Sequence, residues 1–187
     1  FRKLLTTNKP EKSLTKGYHR GTGRSRSGEI TTRHKGGGHK RTFRHIDFFY
    51  DKYDIPFTIK TVEYDPNRSG FIGIAQYADG EKRYVLLHNS AKVGDTYISS
   101  EKALQTPGNR MPLGNMMVGT FVYNVEFKHK GGAKGARSGG DYAELLAKDG
   151  GYVDLKMPST EVRKIPANAW ATIGEVSNNE NRLVNLG

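Results

Sequence analysis

The sequence contains no cysteine, only 35% hydrophobic residues and no long apolar run. Without cysteine it can hold neither a disulfide framework, nor a thiolate zinc site, nor a cysteine nucleophile. No window of 18 residues is apolar and the first ten residues lack a signal-peptide core, so neither a membrane span nor secretion is predicted. The low apolar content indicates that part of the 187 residues lies outside any core, as an arm.

The excess of positive charge is confined to the start of the chain. Residues 1–44 contain thirteen Lys or Arg against Glu11 and Glu29, which accounts for the whole net charge of +11. The remaining residues are electrically neutral. Concentrated charge in a segment poor in large apolar residues predicts an anionic partner, and nucleic acid is the interpretation we favour. A solubilising tail or an import presequence is the alternative.

Glycines are interleaved with cations in this basic arm from Gly17 onward. Glycine lets a backbone approach phosphates closely, and arginine presents a planar fork of donors to their oxygens. We expect the arm to order only on its partner. A membrane surface fits less well, because glycines interrupt any amphipathic stripe. The candidate contacts are Arg20, Arg24, Arg26, Arg33, His34, Lys35, Gly36, Gly37, Gly38, His39, Lys40, Arg41 and Arg44.

Residues 33–41, RHKGGGHKR, hold the densest group of these candidates. His34 and His39 without a nearby cysteine or carboxylate make a poor metal site, which needs three or four ligands. The Walker pattern also fails, because the three glycines are followed by His39 and Lys40. The interpretation that remains is a loop whose backbone closely approaches a polyanion.

Beyond residue 42 the pattern is typical of an all-β fold, with short aromatic and β-branched runs between turn signals. Asp79-Gly80 and Asp149-Gly150 predict tight hairpins. The Pro- and Gly-rich segment 106–119 is interpreted as the joint between two small barrels, of the oligonucleotide-binding or SH3-like kind. The candidate strands are 42–49, 56–64, 70–77, 82–87 and 95–99 before the joint, then 120–128, 142–147, 151–157, 161–165 and 171–176.

Two loops of the neutral part carry further candidate contacts. The 64–70 turn would project Arg68 from a rigid tip, although an ordinary exposed turn arginine is the alternative. Residues 128–140 combine five glycines with four cations and no acid, which favours a second anion-binding loop over a solvated face. Its candidates are Lys130, Lys134, Arg137 and Ser138.

Other residue types give no sign of catalysis or base stacking. The aromatic residues Phe48, Tyr64, Tyr77 and Trp170 fall where strand side chains fill small cores. Asp47, Asp51 and Asp54 bracket a turn, and no partner marks them as acid, base or metal ligand. Neither Gly-x-Ser-x-Gly nor His-Glu-x-x-His occurs.

Several motifs in order resemble the bacterial or organellar form of the large-subunit ribosomal protein two family, from about Arg24 to the end. They are GEITTRHKGGGHKRTFRHIDF (28–48), VEYDPNRS (62–69), DGEKRYV (79–85), residues 106–119 and ATIGEV (171–176). Family members usually continue into a basic C-terminal extension, so we expect this chain to be truncated before it.

The resemblance implies a basic rRNA-threading arm (1–41), an oligonucleotide-binding-fold barrel (42–110) and an SH3-like barrel (111–187). It implies rRNA contacts at Arg68 and Arg137, and a structural role in the large subunit that supports assembly and the architecture around the peptidyl-transferase region. Neighbouring large-subunit proteins are expected partners. No enzyme activity, cofactor, metal, membrane or small-molecule substrate is expected, and bacterial cytoplasm or an organelle matrix remain open. A transient translation factor and a phosphoryl-transfer enzyme at residues 36–38 are the alternatives.

Overall fold

The structure, a computed structural model, describes residues 4–7, 9–18 and 21–185. Within these residues the fold is built from short strands and 3-10 turns, and none of the helices is long and apolar enough to cross a membrane. The 3-10 turns are Lys12–Leu14, Leu113–Asn115 and Asn179–Leu183. The strands are β1 Thr15–Gly17, β2 Thr42–Arg44, β3 Phe57–Ile59, β4 Ile72–Tyr77, β5 Lys82–Leu86, β6 Thr96–Tyr97, β7 Arg110–Pro112, β8 Phe121–Tyr123, β9 Val125–Glu126, β10 Ala133–Gly135, β11 Ala143–Asp149, β12 Tyr152–Lys156, β13 Val162–Pro166 and β14 Trp170–Ile173.

The first sheet is antiparallel with the order β5-β4-β3-β6. The predicted Asp79-Gly80 hairpin joins β4 to β5, and Gly80 takes the left-handed φ of +86° that such a turn requires. The strand β4 is buried on both faces. Ala75 and Tyr77 face the core of this sheet, whereas Ile72 and Ile74 face a second cluster shared with the following sheet.

Gly73 lies in the buried strand β4 at a position where a side chain would not fit. A Cβ at this position would lie 2.6 Å from the carbonyl oxygen of Thr61 and 3.0 Å from both terminal carbons of Leu87. The neighbouring backbone could accommodate no side chain there without a shift. The close packing of β4 therefore depends on the missing Cβ.

The second sheet has the order β13-β12-β11-β8-β14-β7, and the predicted turn at Gly150 joins β11 to β12. All ten predicted strand segments overlap observed strands, whereas β1, β7 and β10 were not predicted. The interpretation of 106–119 as a joint is wrong in part. This segment contributes β7, which pairs with β14, and it buries Met111, Leu113 and Met116 in the second core.

The two sheets are packed against each other through a mixed apolar and polar junction. The apolar part is one cluster of buried side chains drawn from both: Ile72, Ile74, Tyr84, Leu86, Tyr123, Ala136 and Val176. The polar part includes Asn124, whose Nδ2 donates a 3.1 Å hydrogen bond to the Tyr50 hydroxyl. The junction is therefore part of the folded core.

The start of the chain is packed on the first barrel, so the prediction of an arm that orders only on its partner is wrong for residues 4–18 as far as they are described. The strands β1 and β2 pair antiparallel, with Gly17 opposite Thr42. The Glu11 N–H donates a 2.8 Å hydrogen bond to the hydroxyl of Tyr84, and the Thr6 N–H donates one of 2.9 Å to the Val62 carbonyl. Leu14 packs against the junction cluster.

Candidate nucleic-acid interface

The pairing of Gly17 with Thr42 turns the basic arm into a closed loop. Residues 18–41, which we call the basic loop, leave and re-enter the fold at the same place. Part of it has local structure, since Thr31 and Thr32 both donate to the Gly23 carbonyl, and Arg24 Nη1 donates a 2.8 Å bond to the Gly28 carbonyl. The predicted contact Arg20 lies outside the described residues.

The predicted contacts of the basic loop that the structure describes are solvent-facing with one exception. The exposed ones are Arg24, Arg26, Arg33, His34, Lys35, Gly36, Gly37, Gly38, His39 and Lys40, whereas Arg41 is half-buried. The three glycines all have left-handed φ values, of 104°, 65° and 77°, as does His34 at 59°. Left-handed φ is freely available only to glycine, so the Gly36–Gly37–Gly38 run is a conformational requirement of this loop.

Arg44 differs from the other predicted contacts because it is buried, with 8% of its surface exposed. Its Nη1 donates 2.9 Å hydrogen bonds to the Thr42 carbonyl and to the Thr42 hydroxyl. Its Nε has no hydrogen-bond partner among the described residues. Arg44 thus supports the base of the basic loop, and its predicted contact with RNA stays a prediction.

Arg41 lies at a cleft between the chain start and the 63–66 segment. The cleft has a volume of about 790 Å³, and Lys40, Arg41 and the exposed ring of Tyr64 are among its lining residues. Tyr64 is 47% exposed, so the prediction that it fills a core is wrong. The same prediction is confirmed for Tyr77 and Trp170, which are buried.

The turn that carries Arg68 is organised by a buried carboxylate. Asp65 is fully buried, and its Oδ1 accepts hydrogen bonds from the Asn67 backbone N–H and side-chain amide. Its Oδ2 accepts a 2.7 Å bond from Arg68 Nε. The Arg68 side chain is only 18% exposed, so it is fixed by an ion pair and does not project freely from the turn.

The second predicted anion-binding loop, residues 128–140, packs against the first barrel. Lys130, Lys134, Arg137 and Ser138 are all exposed, and Lys134 lies in β10. The guanidinium carbon of Arg137 lies 4.7 Å from the ring centre of Phe48, and that of Arg68 lies 5.5 Å from the same ring. The structure thus brings the two predicted loop arginines together on one aromatic ring that was expected to be core.

Two of the three aspartates that the sequence left without partners, Asp47 and Asp51, belong to a charge network. Arg83 Nη1 donates a 2.8 Å hydrogen bond to Asp47 Oδ2 and also bonds Asp51. Its Nε donates a 2.6 Å bond to Glu81 Oε1. These carboxylates are neutralised on the first barrel. No group of three or more His, Cys, Asp or Glu able to hold a metal occurs in the described part of the chain.

Comparison with known proteins agrees with this architecture. Residues 11–99 match the family model "Ribosomal Proteins L2, RNA binding N-terminal domain", and residues 106–187 match "Ribosomal Proteins L2, C-terminal domain". The large ribosomal subunit protein uL2 of Granulibacter bethesdensis is 46% identical over 186 residues, which cover 100% of this chain and 67% of the relative. This likeness includes the chain start, which the sequence motifs had left out.

The predicted fold class is confirmed. The all-β architecture with separate antiparallel sheets, together with the two matched domains, is that of an oligonucleotide-binding-type barrel followed by an SH3-like barrel. The family matches account for most of the chain, and the whole-length identity to a curated relative agrees with them. The chain therefore belongs to the ribosomal protein L2 family.

Proposed function

We propose that the chain is a structural constituent of the large ribosomal subunit, where it binds large-subunit rRNA and supports subunit assembly and the architecture around the peptidyl-transferase region. The observation that carries this proposal is the run of exposed cations on the basic loop, attached to an otherwise neutral body of two barrels. The name of the relative, a large ribosomal subunit protein, supports it.

The geometry favours recognition of shape and phosphates. The exposed groups of the basic loop are mainly Lys and Arg side chains and glycine backbone, which contact phosphates and 2′-hydroxyls without reading a base sequence. Because β1 and β2 hold both ends of this loop, less conformational freedom is lost on binding than for a free tail. The barrels present Arg68, Lys130, Lys134, Arg137 and Ser138 as additional contacts.

The remaining expectations complete the proposal. The chain acts without catalysis, in contact with rRNA and neighbouring large-subunit proteins, in a ribosome of a bacterial cytoplasm or an organelle matrix. Its proposed division is residues 1–41, 42–110 and 111–187. The pairing of β3 to β6 within one sheet, and of β8 and β11 to β14 within another, supports this division. Its boundary between residues 110 and 111 falls inside β7, which pairs with β14 of the second sheet.

Sedimentation distinguishes an integral subunit component from a transiently bound factor. The tagged chain is expressed in a bacterial host, and the extract is separated on a sucrose gradient before and after a high-salt wash. We expect the chain to stay in the large-subunit fractions after the wash, because a component buried among rRNA helices dissociates slowly. Release of the chain by the wash would indicate a transient factor, and its absence from both gradients would contradict ribosome binding.

A further inference from the structure

Five large apolar side chains of the second barrel are exposed close to one another. They come from the turn before β8, from β8 itself, and from β11 and the residue that precedes it, and each is between 39% and 64% exposed. Single exposed apolar residues are ordinary on a protein surface, whereas a contiguous group of them marks an interaction site. We call this group the apolar patch, and its members are Met117, Val118, Phe121, Tyr142 and Leu146.

The pairing of β8 with β11 brings part of the patch to one face of the sheet. Glu144 lies opposite Phe121 in the register, and the ring centre of Tyr142 lies 4.6 Å from that of Phe121. Because side chains alternate along a strand, Leu146 points away from the core that Leu145 joins. The two strands therefore present Phe121, Tyr142 and Leu146 on the outer face of the second barrel.

The turn before β8 continues the patch along β11. The Gly119 N–H donates a 2.7 Å hydrogen bond to the Leu145 carbonyl, and the Leu145 N–H donates one of 3.1 Å to the Thr120 carbonyl. The Met117 carbonyl in turn accepts from the Thr120 N–H at 3.3 Å, which closes the turn that carries Val118. The patch is therefore a preformed surface, because hydrogen bonds of the fold hold its backbone.

The composition of the patch is that of a protein–protein interface. Aromatic residues and Met are enriched at the centres of such interfaces, and charged residues are depleted there. Interfaces with nucleic acid, in contrast, are strongly positive. The segments 111–127 and 138–147, which supply the patch, contain no Lys or Arg, and Asp141 and Glu144 lie within the second of them. RNA phosphates therefore fit this surface poorly.

Two lysines border the patch, and the protein itself engages both. Lys148 Nζ donates a 2.8 Å hydrogen bond to the Gly114 carbonyl, and Lys156 lies opposite Glu144 in the register of β11 and β12. In the described part of the chain, the carboxylates of Asp141 and Glu144 have no hydrogen-bond partner. Lys or Arg side chains of a partner protein would complement these acids beside an apolar contact.

We propose that the apolar patch is the docking surface for a neighbouring large-subunit protein, which presents apolar side chains flanked by Lys or Arg. The chain then joins this protein to the rRNA that its basic loop binds, through separate surfaces. This inference rests on the proposed function and adds to it a protein-binding surface on the second barrel.

Cross-linking of native large subunits tests the proposal through the two bordering lysines. Subunits from the organism that encodes the chain are treated with a lysine-reactive cross-linker, and the linked peptides are identified by mass spectrometry. We expect Lys148 or Lys156 to be joined to another large-subunit protein, at a lysine that lies beside apolar residues. Lys82 on the first barrel is the control and should not give this adduct. Absence of the adduct, or a link to a second copy of the chain, would overturn the proposal.

Ultraviolet irradiation of the same subunits examines RNA as the occupant of the patch. An aromatic ring stacked on a base forms a covalent adduct with it, and the two rings of the patch are exposed enough to do so. We expect Phe121 and Tyr142 to carry no nucleotide, because a protein covers them. A nucleotide adduct on either ring would contradict the proposed docking surface.

Two matched double variants separate protein docking from RNA binding. Val118→Ser with Leu146→Ser removes two side chains of the patch, whereas Val93→Ser with Leu183→Ser removes an exposed Val and an exposed Leu outside it. We expect the cross-links of the patch variant to fall at least about fivefold and those of the control to stay unchanged. Filter binding to large-subunit rRNA should give the same affinity for the native chain and both variants. Unchanged cross-links in the patch variant contradict only the docking surface, whereas failure of the native chain to bind rRNA contradicts the proposed function.

Discussion

Arg110 donates a 2.8 Å hydrogen bond from Nη2 to Oε1 of Glu126, and both side chains are only 2% exposed. The Nη1 of Arg110 donates a further 2.8 Å bond to the Asn124 carbonyl. The guanidinium also lies 4.7 Å from the ring centre of Tyr50, which belongs to the core of the first barrel. This buried ion pair therefore lies at the junction that holds the barrels together.

Removal of one partner of this pair should be strongly destabilising. We expect Arg110→Ala to lower the free energy of unfolding by about 3–5 kcal/mol, because it leaves the Glu126 carboxylate buried without a counter-charge. Urea denaturation measures the change. The control is Glu161→Gln, which breaks the exposed 2.5 Å pair with Arg163 and should cost about 0–1 kcal/mol. A similar small cost for both variants would contradict a structural role for the buried pair.

The variants Arg68→Ala and Arg137→Ala should differ in their free energy of unfolding, although both arginines are proposed to bind RNA. Arg68→Ala leaves the buried Asp65 carboxylate without its cation, and we expect a loss of about 1–3 kcal/mol in the free energy of unfolding. Arg137→Ala removes an exposed side chain and should stay within about 0.5 kcal/mol. Thermal melting of the two variants provides the comparison. Equal melting temperatures would show that the ion pair with Asp65 contributes little.

The buried His88 makes stability depend on pH. Burial lowers its pKa, although the charge of Asp95 opposes the shift, and its Nε2 lies 2.7 Å from the Tyr97 hydroxyl. The unfolded chain therefore binds a proton at higher pH than the folded chain does. Neutral, buried His88 makes its full contribution to the free energy of unfolding above about pH 6.5. This contribution is lost as the pH falls through the lower pKa that His88 has in the folded state.

Replacement of this histidine isolates its part of the pH dependence. Urea unfolding of the native chain and of His88→Gln is compared at about pH 7.5 and about pH 5.5. We expect the native chain to lose more stability between the two conditions than the variant does. The same loss in both proteins would assign the pH dependence to other groups.

The sequence predicted those elements whose conformation depends on a few neighbouring residues. The Asp79-Gly80 and Asp149-Gly150 dipeptides marked both hairpins, because the left-handed turn conformation depends on the glycine itself. The strand β7 was missed, since the Pro and Gly residues of 106–119 are typical of a linker. Its pairing with β14 and the burial of Met111 come from contacts distant in sequence.

In the candidate site, too, the sequence indicated the features that depend on composition and missed those that depend on contacts between distant residues. Composition alone indicated the cations of the basic loop, because an excess of charge needs no knowledge of the fold. Phe48 was expected to be core, since nothing in its neighbourhood in sequence shows that Arg68 and Arg137 meet it. The short polar strand β1 carries no apolar alternation, so the closed form of the loop was also missed.

We propose that the basic loop, rather than the neutral body, supplies the electrostatic part of rRNA binding. Deletion of residues 1–44 would also remove β1 and β2, so five exposed cations are changed instead. The loop variant carries glutamine at Arg24, Arg26, Arg33, Lys35 and Lys40. A control variant carries five glutamines at exposed cations of the body: Lys60, Lys82, Lys102, Lys156 and Arg182. Both lose the same formal charge.

The most direct measurement is a salt titration of affinity for large-subunit rRNA with the native chain and these two variants. Each phosphate contact to a single strand contributes about 0.7 to the slope of log affinity against log salt. We predict that the loop variant becomes shallower by about 3 to 4, whereas the control variant changes by less than about 1. Equal slopes for the two variants, or an unchanged slope for the loop variant, would contradict the account.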